Sequence, residues 1–138
     1  MTLKAELDIV FRTQRKSDMP VPEGFAVVTP YIFVDGGEDY VRFLEAAFGA
    51  REIGRSIAPD GRIANCQMRF ETATIMISEA SEDFPASSAA FYLYVDDADA
   101  AMDKALGAGA DKIMDTADMP YGDLQGGIRD PAGNIWWI

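Results

Sequence analysis

The chain has 138 residues, 49% hydrophobic and 25% charged, which is the size and balance of a globular domain and excludes a disordered or low-complexity segment. Twelve basic and 23 acidic side chains give a net charge of −11; a chain so acidic argues against nucleic acid and membrane as partners, because both require a basic face. It contains no histidine, which removes Ser-His-Asp and Cys-His catalysis and every imidazole metal site.

Residues 1–24 read as an N-terminal arm and linker. Leu3, Leu7, Val10 and Phe11 stand at helical spacing, the run 8–11 equally suits a strand, and the prolines and glycine of 19–24 mark the linker. An arm with apolar spacing and no core of its own is expected to pack on a partner subunit. No long apolar segment follows a basic start, so no signal peptide is expected. Residues 26–34, rich in Val, Tyr, Ile and Phe, predict a strand that Asp35-Gly36-Gly37 ends. Over 38–48 the apolar residues Tyr40, Val41, Phe43, Leu44, Ala47 and Phe48 form one helical stripe, which Gly49 stops. Strands follow over 51–58 and 62–70, joined by the hairpin turn Pro59-Asp60-Gly61, and a further strand covers 74–79. Cys66, the single cysteine, lies in a strand. It permits no intrachain disulfide, reads as a buried inert thiol, and makes a reducing, cytoplasmic setting the expectation.

Residues 80–88 are small and polar and predict a connecting loop. The plan then repeats. Residues 89–95 form a strand ended by Asp96-Asp97; 98–106 form a helix with Ala101, Met102, Ala105 and Leu106 on one side; strands lie near 111–116, 123–129 and 134–138. The result is strand–helix–strand–strand–strand, twice, over about 25–80 and 89–138. Units this small cannot each cover a sheet, so they are expected to pack as a pair.

Alternate strand residues face opposite ways. One set, including Ile32, Val34, Ile75, Ile77, Phe91, Val95, Trp136 and Ile138, is uniformly apolar and suits the helices. The other mixes rings with polar groups: Thr29, Tyr31 and Phe33; Thr74, Met76 and Ser78; Ala90, Tyr92 and Tyr94; Ile135 and Trp137. Aromatic walls with a few polar groups suit a cleft for a flat organic ligand, and equally suit a filled barrel or a dimer interface.

Several stretches carry a resemblance: Thr29-Pro30-Tyr31-Ile32-Phe33-Val34, Phe43-Leu44-Glu45-Ala46-Ala47-Phe48-Gly49-Ala50, Pro59-Asp60-Gly61, Ile75-Met76-Ile77-Ser78-Glu79, Leu93-Tyr94-Val95-Asp96-Asp97, Tyr121-Gly122-Asp123, and Arg129-Asp130-Pro131-Ala132-Gly133-Asn134-Ile135-Trp136-Trp137-Ile138. Over 25–138 the chain resembles the glyoxalase / bleomycin-resistance / ring-cleaving dioxygenase superfamily, the vicinal oxygen chelate proteins. The resemblance implies an α+β fold of two tandem βαβββ modules, with mixed sheets curled around a shared cavity, commonly within a homodimer.

It also implies a test for a metal. Members that use a divalent ion hold it with His and Glu at four strand positions, which fall here on Thr29, Met76, Ala90 and Trp137. Two further places where related chains carry histidine fall on Asn65 and Asn134. None of these suits a hard or borderline cation, so no metal and no cofactor is expected. Asp96, Asp97, Asp99 and Asp103 read as a helix cap and a solvated face, with Asp35, Glu38 and Asp39 serving the first helix. Glu79 reads as a surface carboxylate at the cavity rim, and Arg129 as an ion-pair brace for the turn at Asp130. Gly126-Gly127 does not fit a phosphate loop.

Three readings follow. The first is a metal-free binder of a small aromatic or cationic molecule, in the manner of bleomycin resistance, with Thr29, Tyr31, Phe33, Asn65, Met76, Ser78, Tyr92, Tyr94, Asn134 and Trp137 lining the ligand. The second is a metal-dependent enzyme with an atypical site. The third is a non-catalytic protein whose cavity is filled, with Met76 and Trp137 as plugs.

Overall fold

The computed structural model describes residues 21–138. The helix or strand expected within 1–20 lies outside the described residues. The elements run β1 (Tyr31–Val34), α1 (Gly37–Phe48), β2 (Arg51–Ile57), β3 (Ile63–Phe70), β4 (Ala73–Glu79), β5 (Ala90–Tyr92), α2 (Ala98–Gly107), β6 (Asp111–Asp118), β7 (Leu124–Arg129) and β8 (Ile135–Trp137). The first strand begins later than its composition predicts, because 26–29 close a local turn in which Thr29 Oγ1 donates to Ala26 O. The fifth strand is shorter than 89–95, although Leu93 N still donates to Trp137 O.

Two mixed four-stranded sheets result, ordered β1-β4-β3-β2 and β5-β8-β7-β6. Their register repeats. β1 runs parallel to β4 with Tyr31 opposite Met76, and β5 runs parallel to β8 with Tyr92 opposite Trp137. Each parallel pair requires a long crossover, and the helix supplies it. α1 stops at Gly49, whose φ of 67° lets its N–H turn back to Glu45 O while Ala50 N reaches Leu44 O.

The helix-facing sides of both sheets share one core. Trp136 is its centre, with ring centroids of Phe91 at 4.4 Å, Phe48 at 4.6 Å and Phe70 at 5.5 Å. Phe48 and Phe70 belong to module one, so this cluster joins the modules. Large rings at these spacings contribute more than their buried area alone. Cys66 is fully buried in the same core; burial, then the Glu52 carboxylate, push its thiol up to about 11, so it is protonated and inert at neutral pH. Gly126 is a packing residue: a Cβ there would stand 2.7 Å from Met102 Sδ, so glycine lets α2 lie directly on β7.

A second link between modules is polar. Asp130, in the β7–β8 turn, is buried. Its Oδ1 accepts from Ala132 N and Asn134 N, and its Oδ2 accepts from Trp136 Nε1 at 2.8 Å and from the Tyr40 hydroxyl of α1 at 2.6 Å. Burial, followed by the adjacent Asp130 charge, raises the Tyr40 phenol well above its ordinary value. The turn is braced by Asp130 itself through these four bonds; among the described residues Arg129 forms no ion pair.

Candidate functional site

The faces turned away from the helices carry the candidate site. In module one, register places Tyr31 beside Met76 and Phe33 beside Ser78, with Gln67 next to Met76. Asn65 shares the face with Gln67 by alternation along β3. Five of the expected lining residues therefore meet on one sheet: Tyr31, Phe33, Asn65, Met76 and Ser78. The Tyr31 hydroxyl donates to Ala64 O at 3.3 Å. A ring that sequence reasoning missed completes the face. Phe84, in the connecting segment, stacks on Phe33 with centroids 5.3 Å apart and 12° between planes.

In module two, Tyr92 and Trp137 are neighbours in register, and Tyr94 follows just beyond β5 with its ring 5.0 Å from that of Tyr92. Trp137 lies flat on β7: a Cβ on Gly127 would meet Trp137 Cζ3 at 2.5 Å. The Tyr92 hydroxyl donates to Asp123 Oδ2 at 2.5 Å and stands 3.1 Å from Gln125 Oε1, which also accepts from Tyr121. That bond to Asp123 raises the Tyr92 phenol, so it stays protonated at neutral pH. Gln125 was legible by alternation from Trp137 through Gly127. Asp123 and Tyr121 lie in a loop, where no period points to them.

A cleft of about 390 Å³ opens here, lined by Tyr92 to Ala98, Gly122 to Leu124, and Ile138. All of its walls belong to module two. The cavity is therefore not the one shared by both sheets that the resemblance implies, because the modules meet through their helices and the Trp136 cluster. Two tyrosines, Val95, Leu124 and three aspartates are among the residues that line it; Asp97 also caps α2, Asp123 accepts from Tyr92, and the Leu93 and Ile138 side chains pack with the core.

Of the expected lining residues only Tyr92 and Tyr94 line this cleft; Trp137 and the five of module one lie outside its lining, and two more stand apart from both faces. Asn134 is 0% exposed; its Oδ1 accepts from Ala89 N and its Nδ2 donates to the Tyr40 hydroxyl. It is a part of the Asp130 turn and faces no cavity. Thr29 is held in its local turn ahead of β1. Glu79 is also reassigned. Its two oxygens accept from Gly36 N at 2.9 Å and Gly37 N at 3.0 Å, so it caps the N-terminus of α1, where Gly36 has no side chain to do so. In α2 the equivalent cap is Asp97, which accepts from Ala100 N.

The four metal-holding positions do not fit a divalent cation. Thr29 is held by its turn, Ala90 has no donor atom, Met76 offers only a thioether, and Trp137 covers Gly127. Among the described residues no three His, Cys, Asp or Glu side chains converge as a metal site. No helix there is long and apolar enough to cross a membrane.

Comparison with known proteins agrees with this architecture. A family model described as the Glyoxalase/Bleomycin resistance protein/Dioxygenase superfamily matches residues 24–138. An uncharacterized protein of Mycobacterium bovis, Mb0911c, is 28% identical over 120 residues, 79% of each chain. The crystal structure of the Arabidopsis thaliana gene product At5g48480 superposes with a TM-score of 0.66 at 27% identity, over 82% of this chain and 97% of that one. TnmS3, an antibiotic binding protein from Streptomyces sp. CB03234, superposes with a TM-score of 0.62 at 19% identity, over 81% and 93%. With this match, the paired βαβββ modules and their register, the chain belongs to the glyoxalase/bleomycin resistance protein/dioxygenase superfamily.

Proposed function

We propose that the chain binds a small organic molecule without a metal, at the open cleft of module two, and that the ligand carries a positive charge. One observation carries this reading: a cleft of about 390 Å³ in which tyrosine rings stand beside the carboxylates of Asp96, Asp97 and Asp123. Its volume lies in the range that holds a small organic ligand. Tyrosine faces and nearby carboxylates both attract a cation, and the net charge of −11 adds long-range attraction at low salt. Similarity of fold to TnmS3, an antibiotic binding protein, is compatible with a binding role. Tyr92 is protonated at neutral pH, so it supplies no base beside the ligand.

The test is equilibrium dialysis with two flat fluorescent probes, cationic 9-aminoacridine and anionic 1-naphthalenesulfonate. Retention of the acridine, weakened by salt, with less retention of the sulfonate is the expected result. Retention of neither would overturn the reading. Two further expectations belong to it. Exposed Tyr31 on the open face of module one and Tyr121 in its loop, both outside the cleft lining, suit a homodimer, which light scattering of the purified chain tests. The inert Cys66 suits a reducing, cytoplasmic setting, which fractionation of the source cells tests.

A further inference from the structure

We infer that Gln125 is a specificity residue of the module-two site: its side-chain N–H groups are held ready for an uncharged acceptor oxygen, a carbonyl, that the ligand carries beside its positive charge. The inference rests on the binding role proposed above and names a second recognition group of the same ligand.

The bonds around Gln125 fix which end of its amide is free. A phenol has one proton to give. Tyr92 gives its proton to Asp123 Oδ2 at 2.5 Å, and Tyr121 gives its proton to Gln125 Oε1. The amide is therefore anchored through its oxygen, and its nitrogen is left over. Among the described residues Nε2 has no acceptor, and no side-chain nitrogen there is both unpaired and shut away from solvent, so this donor end reaches the surface. The side chain as a whole is only 8% exposed. A glutamine that merely dissolves a surface stands out in water and keeps its rotamers. This one is buried along its length, tied at its oxygen and open only at its N–H groups. The entropy cost of ordering such a side chain is met in the free protein and not on binding.

Tyr121 is the positioning residue. A closed turn delivers it, with Gly122 N donating to Met119 O at 3.0 Å and Met119 N to Asp123 O at 2.8 Å. The repeat shows that the fold does not demand this anchor. By register, Asn65 in β3 is the counterpart of Gln125 in β7, and Tyr31 is the counterpart of Tyr92. In module one the Tyr31 hydroxyl goes to a backbone oxygen, Ala64 O, and among the described residues no phenol reaches the Asn65 amide.

The free amide end also has the right neighbours. Tyr92 and Asp123 both line the cleft, and Gln125 Oε1 stands 3.1 Å from the Tyr92 hydroxyl. The cleft lining supplies carboxylates for a cation and contains no lysine or arginine. An amide N–H cannot pair with an ammonium group, which has only donors. It pairs with an acceptor, and an anionic acceptor would be repelled by Asp96, Asp97 and Asp123. An uncharged carbonyl satisfies both demands.

Calorimetric titration of the full chain with two matched cations tests this. Phenacyltrimethylammonium carries a ketone, and phenethyltrimethylammonium has a CH₂ in its place. Wild type should bind the ketone about five- to tenfold more tightly, as one well-placed neutral hydrogen bond provides. Gln125→Leu keeps the bulk and loses the donor, so it should bind the two cations equally. Tyr121→Phe keeps Gln125 and loses its anchor, so it should narrow the preference for the ketone. Thermal melts establish that each variant is folded, and Tyr121, at 62% exposure, keeps the test open where Gln125→Leu does not fold. Equal binding of the two cations by wild type, or a full ketone preference in either folded variant, would overturn the inference and leave the binding role standing. So would binding of 9-aminoacridine with neither ammonium bound. Binding of none of the three would overturn both.

Discussion

The two modules have one backbone plan and two different outer faces. Strand order, register and the parallel pairing of first and last strands repeat between them. So does the apolar side of each sheet, because both contribute to a single core around Trp136. The opposite sides have diverged. Module one carries Phe33 under Phe84, while module two carries a bare Tyr94, a tyrosine–carboxylate–glutamine network and a cleft. The core face fixes the fold, since a change there affects both modules. The outer face is free to vary, and in this chain the cleft and its tyrosine–carboxylate network lie in module two.

The largest effect is expected from cutting the polar link that makes the modules depend on each other. Asp130→Ala would strand the Tyr40 hydroxyl, the Trp136 indole N–H and two backbone N–H groups in a buried place. Each buried polar group left without a partner costs about 1–3 kcal/mol, with losses that are not additive. We expect a loss of at least ~3 kcal/mol in urea unfolding. Asp130→Asn should fall between the two, because its amide keeps one acceptor oxygen. Wild-type stability in Asp130→Ala would show that the modules are held by the aromatic cluster alone.

A smaller effect is expected on the outer face of module two. Gly127→Ala would place a methyl group 2.5 Å from Trp137 Cζ3, inside contact distance, so the indole must lift off the strand. Overpacking of this kind costs about 1–3 kcal/mol. Since Trp137 is partly exposed, the low end is expected, with a red shift of tryptophan emission as the ring meets water. An unshifted spectrum would mean that the face is softer than the repeat requires.

Much of this was legible in the sequence where a period governs the residue. Helical spacing over Tyr40 to Phe48 and alternation in β4 and β8 marked the core side, and the repeat marked the counterparts Tyr31 and Tyr92. What stayed hidden sits outside any period. Phe84 lies in a polar loop, and only the fold shows that the loop turns back onto Phe33. Asn134, placed by its motif near the ligand, is claimed by a carboxylate, Asp130, whose partners come from 90 residues away in Tyr40. Gly126 and Gly127 excluded a phosphate loop but did not announce their purpose. Their neighbours Met102 and Trp137 approach from opposite faces.

The two helix caps give the finest contrast, because one task is done by two devices. Asp97 caps α2 from the preceding residue, through one local bond to Ala100 N. Glu79 caps α1 from the end of β4, through two bonds to Gly36 N and Gly37 N, which are 43 and 42 residues away in the chain. Asparagine replaces aspartate well at a local cap, so Asp97→Asn should cost only a few tenths of a kcal/mol. Glu79→Gln should cost about 1 kcal/mol, because an amide has one oxygen and would aim its NH₂ at an N–H that needs an acceptor. It also removes a charge that favours the helix N-terminus. Hydrogen exchange separates the two. Asp97→Asn should leave Ala100 protected, while Glu79→Gln should speed exchange at Gly36 or Gly37. Equal losses in both variants would show that the charge at the helix N-terminus, and not the number of bonds, is what each carboxylate contributes.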